Sequence, residues 1–305
     1  MNQPTLNYVN CPDAQGQHRM AYWLWGDAAC DYVIICAHGL SRQGRDFDVL
    51  AQALCDAAPG RVRVVCPDVV GRGKSDWLKD PMGYHIPQYA SDMVTLINQL
   101  QPKTLDWAGT SMGGLIGMVI CGQPDLPLPV KVRKLVLNDV GPALEWTAIQ
   151  RIGQYIGKTG QFDSVQQAAD AMWAISSSFG PHTPAQWLAL SQAMVKPSST
   201  VNGTGTGTGF TLHYDPALAV PFNSATEEST KLGEAMLWTL YDNIKAQTLL
   251  TRGAQSDLLS VATALAMTER GPKAQLVEFA GVGHAPTFVA LDQVKVVVDF
   301  LLGNP

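Results

Sequence analysis

The chain has no lysine- or arginine-rich run, and its bases are outnumbered. It carries 21 Lys and Arg against 26 Asp and Glu, a formal net charge of −5. Nucleic-acid binding needs a basic face that displaces phosphate counterions, so no nucleic-acid partner is expected. No apolar stretch approaches the roughly 18 residues of a membrane helix, so no membrane partner is expected either. The first ten residues are polar, contain Pro4 and lack the basic start and apolar centre of a secretory leader. Cysteine is sparse: Cys11, Cys30, Cys36, Cys55, Cys66 and Cys121, with none in the latter half of the chain and no C-x-x-C pair. Three of them (Cys36, Cys66 and Cys121) fall inside apolar runs, where a free thiol acts as a small hydrophobe. These absences together predict reduced cysteines in a cytoplasmic protein. No histidine and carboxylate share ligand spacing on one helix, so no metal and no cofactor are expected.

What is present is apolar material in a regular rhythm. Of 305 residues 46 % are hydrophobic, enough for one large core with a sizeable insertion. Residues 18–26, 32–37, 61–66, 104–108, 133–138, 247–251 and 274–279 read as strands. Their continuous apolar runs point to strands buried on both faces. Helical stretches alternate with them at 46–57, 88–100, 112–121, 260–270 and 291–302. Strand–helix alternation implies βαβ units in an α/β protein with a mostly parallel, doubly wound sheet. The rhythm breaks after Gly141. Leu144, Ala148, Ile152 and Tyr155 keep helical spacing, Thr183-Pro184 reads as an N-cap with proline at the first helical position, and Trp187, Leu190 and Met194 then share a face. The reading is therefore a core of 1–141 and 246–305 carrying a mostly helical cap at 142–245. Residues 202–209 within it are a Gly-Thr repeat that makes a flexible loop; Thr208 stands where a G-x-G-x-x-G fingerprint requires glycine.

The chemistry centres on Gly109-Thr110-Ser111-Met112-Gly113, between a strand and an apolar helix. In that context G-x-S-x-G is a sharp strand-to-helix turn that lifts the serine hydroxyl to the carboxyl end of the sheet. The helix N-terminus beneath it adds positive potential. Ser111 is thus the candidate nucleophile. His38-Gly39-Leu40 follows an earlier strand, and the loop there supplies one oxyanion-hole N–H while the residue after the nucleophile supplies the other. Those donors are Leu40 and Met112, and His38 is read as a brace for the loop. The base comes last in chain order, and Gly283-His284 follows the strand at 274–279, so His284 is chosen. The acid should follow the strand at 247–251, where Asp257 is the first carboxylate. Asp139, at the end of strand 133–138, is the rival; otherwise it caps the turn before Gly141-Pro142.

Several other features are weighed. Gly71-Arg72-Gly73-Lys74-Ser75 ends like a phosphate-binding loop, but Asp68 occupies the position of the first required glycine. The cap carries Trp146, Trp173, Trp187 and Trp238 together with Phe162, Phe179, Phe210 and Phe222. The tryptophans are expected to line a substrate pocket above Ser111, against the alternative that they pack the cap internally. Arg42 and Arg45 follow the oxyanion loop and either greet an acidic substrate or pair with local carboxylates. The run His213-Tyr214-Asp215-Pro216 reads as an Asp-Pro turn, with a reach from the cap into the site as the other option.

The quoted pieces are similar to the α/β-hydrolase superfamily, especially bacterial carboxylesterases and enol-lactonase-like hydrolases with a helical cap. The matching stretches are His38-Gly39-Leu40, the run from Pro67 to Ser75, Gly109 to Gly114, Gly253 to Asp257, and Gly283-His284. They span nearly the whole core in the expected order. Serine at the elbow departs from haloalkane dehalogenases and epoxide hydrolases, which place aspartate there. The loop from Leu40 to Asp46 lacks the small-residue, proline-containing pattern of many carbon–carbon bond hydrolases. The resemblance implies the α/β-hydrolase fold and a serine hydrolase of carboxylic esters, with a small-molecule ester as substrate. A lactone or carbon–carbon bond hydrolase, or a non-catalytic ligand-binding member of the fold, are the competing readings.

Overall fold

The computed structural model describes residues 3–198 and 209–303. Its strands are β1 (Thr5–Asp13), β2 (Gly16–Gly26), β3 (Tyr32–Ala37), β4 (Arg63–Asp68), β5 (Thr104–Thr110), β6 (Val132–Asn138), β7 (Val195–Ser198), β8 (Gly209–Leu212), β9 (Gln247–Gly253) and β10 (Gln275–Phe279). Eight of them form one sheet in the order β1-β2-β4-β3-β5-β6-β9-β10, while β7 and β8 pair separately. From β4 to β10 the neighbours are parallel; β1 and β2 are antiparallel additions at one edge. Order reverses at β3, whose two neighbours are β4 and β5. The carboxyl ends of β3 and β5 therefore open a crevice, the place where doubly wound sheets hold ligands.

The central strands are buried along their length because both faces are covered. On one side α1 (Asp48–Ala57) and α10 (Leu291–Leu302) pack on Ile34, Val64, Val136 and Leu249. The other side is covered by α2 (Ile86–Leu100) and α3 (Met112–Gly122), against Val33, Ile35, Leu105 and Trp107. The sequence pattern misses β1: on this edge strand only Val9 and Cys11 are buried, so its run reads as polar. The other core strands fall where expected, within two or three residues at either end.

Between β6 and β9 lie α4 (Trp146–Gly153), α5 (Val165–Ser176), α6 (Pro184–Gln192), the β7–β8 pair, α7 (Ala219–Asn223) and α8 (Glu227–Asn243). Thr183 caps α6 with a full capping box and Pro184 at its first turn, as the sequence predicts. Among the described residues the segment is mostly helical and holds one small antiparallel pair, β7 with β8. Helix α8 does not belong with the covering layer: it packs against α3, whose Gly122 approaches the Leu240 carbonyl so closely that a Cβ would not fit. The core thus resumes before residue 246. The Gly-Thr repeat at 202–208 lies outside the described residues. The remaining core helix, α9 (Val261–Glu269), follows β9.

The covering segment is tied down at several places. Arg42 donates to the Leu190 carbonyl (3.3 Å) and Gln43 to that of Ala193. Backbone bonds join Gly73 to His213 and Asp215 to Gly71 (3.0 and 2.7 Å). Asp215 also accepts from Tyr84 Oη and caps Ala217, so the Asp-Pro turn reading holds.

At the join of β5 and α3 the backbones nearly touch. A Cβ on Gly113 would collide with the Ala37 carbonyl on β3, and one on Gly109 with the backbone of Gly113 and Gly114. Gly113→Ala should therefore destabilise the fold by about 1–3 kcal/mol, through forced separation of α3 from β3. Urea denaturation checks this; an unchanged midpoint would show that the turn tolerates a side chain there.

Candidate active site

Ser111 is the residue between β5 and α3, and its backbone lies at φ 51°, ψ −116°. An L-residue in that region is strained by about 1–3 kcal/mol. The conformation persists because the flanks over-determine it: the Ser111 N–H donates to the Asn138 carbonyl (2.9 Å), while Gly114 and Leu115 donate to the Ser111 carbonyl. Trp107, fully buried, donates its indole N–H to Gly113 O (3.0 Å) and holds the first turn of α3 against the sheet.

His284 comes from the loop after β10. Gln255 N–H donates to Val282 O and Gly283 N–H to Ser178 O (2.9 and 2.6 Å), and Ser178 Oγ donates to His284 O (3.2 Å). Gly253, at the end of β9, leaves space for the Val282 and Gly283 carbonyls. The imidazole is thereby placed with Nε2 at 3.0 Å from Ser111 Oγ and Nδ1 at 2.6 Å from Asp139 Oδ2.

The carboxylate on His284 is Asp139, which corrects the choice of Asp257. Asp139 follows β6 with φ 55° and is fully buried. Its N–H donates to Thr251 O. Its carboxylate accepts from Gly253 N–H (2.8 Å) and from Ser256 Oγ (2.6 Å) besides His284. Asp257 is exposed and receives Arg151 through Nε and Nη2 at 2.7 and 2.9 Å. The physical reason is the turn after β9. Ser256 N–H closes back on Gly253 O, which points a hydroxyl and a backbone amide at Asp139 and leaves the next side chain outside. The loop after β9 does reach the site, but as donor to the Asp139 carboxylate.

Asn138, at the end of β6, ties these parts together. Its amide donates to Thr110 Oγ1 and to Pro286 O, and its Oδ1 accepts from Thr251 Oγ1. One side chain thus spans β5, β6, β9 and the His284 loop.

His38 is a brace, as read from the sequence. It is completely buried, with Nδ1 on Gly39 O (2.7 Å) and Nε2 accepting from Val69 N–H (2.9 Å). Burial pushes its pKa down to about 3, so it stays a neutral Nδ1–H imidazole. Sequence reasoning misses Arg72, dismissed there with a false phosphate-loop motif. Its buried guanidinium donates from Nε to Leu40 O (2.8 Å) and from Nη1 to Val70 O, and lies over the Tyr89 ring at 4.9 Å. Holding the Leu40 carbonyl from one side fixes which way the peptides of this loop face. Met112, first residue of α3, has an N–H without an intrahelical acceptor. Leu40, Met112 and Ser111 border one common cavity.

Two cavities meet at Ser111, sharing Leu40 and Ile152. The smaller, about 130 Å³, also reaches His284, Arg42, Tyr155 and Phe179. The larger, about 330 Å³, is walled by apolar side chains of α2, α3, α4 and α7 such as Leu115, Ile149 and Phe222. None of Trp146, Trp173, Trp187 and Trp238 borders either cavity, so the expected tryptophan lining is corrected. Trp187 is buried edge-on against Trp173 and Phe179 and donates to Ala169 O (2.8 Å), so it is a core residue of the covering layer. Trp238, on α8, packs on Tyr241 and under Arg270. Of the aromatics singled out from the sequence, Phe179 and Phe222 face the cavities. Arg42 borders the smaller cavity but is held by Asp46 at 2.6 and 2.7 Å; Arg45 is turned away onto Asp48 and Trp23.

A hydroxyl, an imidazole and a carboxylate in hydrogen-bonded series can move a proton off the hydroxyl while the carboxylate steadies the charged ring. Asp139→Asn should therefore slow the reaction of Ser111 with a chromogenic acetate ester by about 10³–10⁴-fold. Asp257→Asn removes only a partly exposed ion pair and should change it by less than about threefold. Stopped-flow rates of the two folded variants decide; the reverse ranking would return the role to Asp257.

Residues 34–300 match the family model described as "Alpha/beta hydrolase family". The chain is 51 % identical over 300 residues to the 3-hydroxybutyrate-oligomer hydrolase of Cupriavidus necator, covering 98 % of both chains. Among solved structures it is similar to an alpha/beta hydrolase from Novosphingobium aromaticivorans (30 % identity, TM-score 0.79, 99 % of both chains). It also superposes on a Rickettsia typhi protein solved by X-ray crystallography (26 %, TM-score 0.83, the whole of both chains). With this sheet, this elbow and these relatives, the chain belongs to the alpha/beta hydrolase family and is a hydrolase.

Proposed function

We propose that the protein is a serine esterase that cleaves short oligomers of 3-hydroxybutyrate or a closely related 3-hydroxy acid. The observation that carries the catalytic part is the unbroken series Ser111 Oγ, His284, Asp139, which opens onto both cavities. The substrate class is supported by the Cupriavidus necator relative, matched along nearly its whole length.

In this reading Ser111 Oγ attacks the ester carbonyl carbon while His284 Nε2 takes its proton. Asp139 keeps the Nδ1–H tautomer and stabilises the imidazolium. The oxyanion forms between the N–H groups of Leu40 and Met112, donors worth about 2.7–4 kcal/mol each in comparable sites. His284 then returns the proton to the alcohol oxygen as the carbon–oxygen bond breaks. Water, deprotonated by His284, releases the acid from Ser111 by the same route.

The test is hydrolysis of 4-nitrophenyl butyrate and of a 3-hydroxybutyrate trimer. Wild type should cleave both, with a burst of nitrophenol, and Ser111→Ala should lose about 10⁴–10⁶-fold in kcat while remaining folded. Near-normal turnover by Ser111→Ala would overturn the acyl-enzyme route. Cleavage of the nitrophenyl ester with an inert trimer would overturn the substrate class alone.

A further inference from the structure

The two cavities differ in charge. Arg42, Arg151 and Lys158 border the smaller one, and no aspartate or glutamate does. The larger has neither cation nor carboxylate in its wall. Three cations without an acid run against a chain whose net charge is −5. Arg42 is fully engaged by Asp46 and the Leu190 carbonyl. Arg151 is shared with Asp257 outside the cavity and lies beside Tyr155. Lys158 is exposed, and among the described residues no carboxylate lies within ion-pair distance of it. The turn that carries it is fixed: Lys158 N–H donates to Tyr155 O, and the Lys158 carbonyl accepts from Tyr214 Oη, itself a cavity wall.

We infer that the smaller cavity is the leaving-group site and that Lys158, with Arg151 beside it, binds the free terminal carboxylate of the oligomer. This rests on the esterase reading above. In an oligomer of a 3-hydroxy acid each ester joins an acyl part, which runs to the free hydroxyl end, to an alcohol part, which runs to the free carboxylate. When the bond between acyl carbon and alcohol oxygen breaks, that oxygen takes the proton from His284. The departing 3-hydroxy acid keeps its carboxylate. An anion next to the scissile bond therefore belongs to the leaving side, where the cations are. The acyl part, neutral with one methyl branch per unit, fits the apolar cavity. The site releases the carboxyl-terminal unit, because the small volume on that side suits a short leaving group.

The test compares kcat/KM for the 3-hydroxybutyrate dimer with that for the same dimer capped as its terminal primary amide, with 4-nitrophenyl butyrate as control. Wild type should prefer the free acid by about tenfold at low salt, and the preference should shrink as salt screens these exposed charges. Lys158→Ala should cut the preference about fivefold, mainly through KM, and Lys158→Glu should cut it further. Lys158→Gln serves if either variant is unstable. Hydrolysis of the nitrophenyl ester with an acid-to-amide ratio near one in wild type, or a ratio the variants leave unchanged, would overturn the carboxylate site alone. No hydrolysis of the nitrophenyl ester by wild type would overturn the esterase reading and this one with it.

Discussion

The approach of α3 to the sheet is the constraint from which the rest follows. At Gly109 and Gly113 the backbones of β5, β3 and the first turn of α3 come so close that neither position has space for a side chain. Only a sharp turn joins elements at that spacing, and a sharp turn forces Ser111 out of the ordinary backbone regions. Strain of this kind is held by packing, here by buried Trp107 and by the bonds on either side of Ser111. In return the hydroxyl comes within 3.0 Å of His284 Nε2, and Met112 borders the same cavity. Relaxing the turn would displace Ser111 Oγ and Met112 together.

Everything else converges on that point from the carboxyl ends of parallel strands. The loop after β3 brings Leu40, with Arg72 holding its carbonyl; β6 brings Asp139; β9 brings Gly253 and Ser256 as donors to that carboxylate; the loop after β10 brings His284. The Asn138 side chain, on β6, bonds to β5, β9 and the loop after β10 at once. The buried polar groups are thus paired within a network that fixes orientation, as buried polar networks must be if they are not to destabilise.

What was legible in the sequence follows from how local each signal is. The glycines that mark Ser111 and His284 stand beside them in the chain, even though Gly113 is demanded by distant Ala37 and Gly283 by Ser178, so both residues are visible in the bare sequence. The acid is a question of which strand end faces the imidazole, and two carboxylates satisfy the chain-order rule almost equally. Only the closed turn at Gly253–Ser256, which points Ser256 inward and Asp257 out to Arg151, separates them. The cap tryptophans fail for a different reason. A covering layer needs large side chains for its own interior as much as for a cavity wall, and Trp187, edge-on against Trp173, serves the first need. Arg72 was hidden because its role, a bond to the Leu40 carbonyl 32 residues away, leaves no pattern in neighbouring residues.

The central claim is that Asp139, through His284, acts on Ser111. Proton NMR of the resting enzyme addresses it directly, because an Nδ1–H held at 2.6 Å by a buried carboxylate should resonate far downfield of the amide envelope. Such a resonance is expected in wild type and in Asp257→Asn, and its loss in Asp139→Asn. A downfield proton that survives Asp139→Asn and disappears in Asp257→Asn would contradict it.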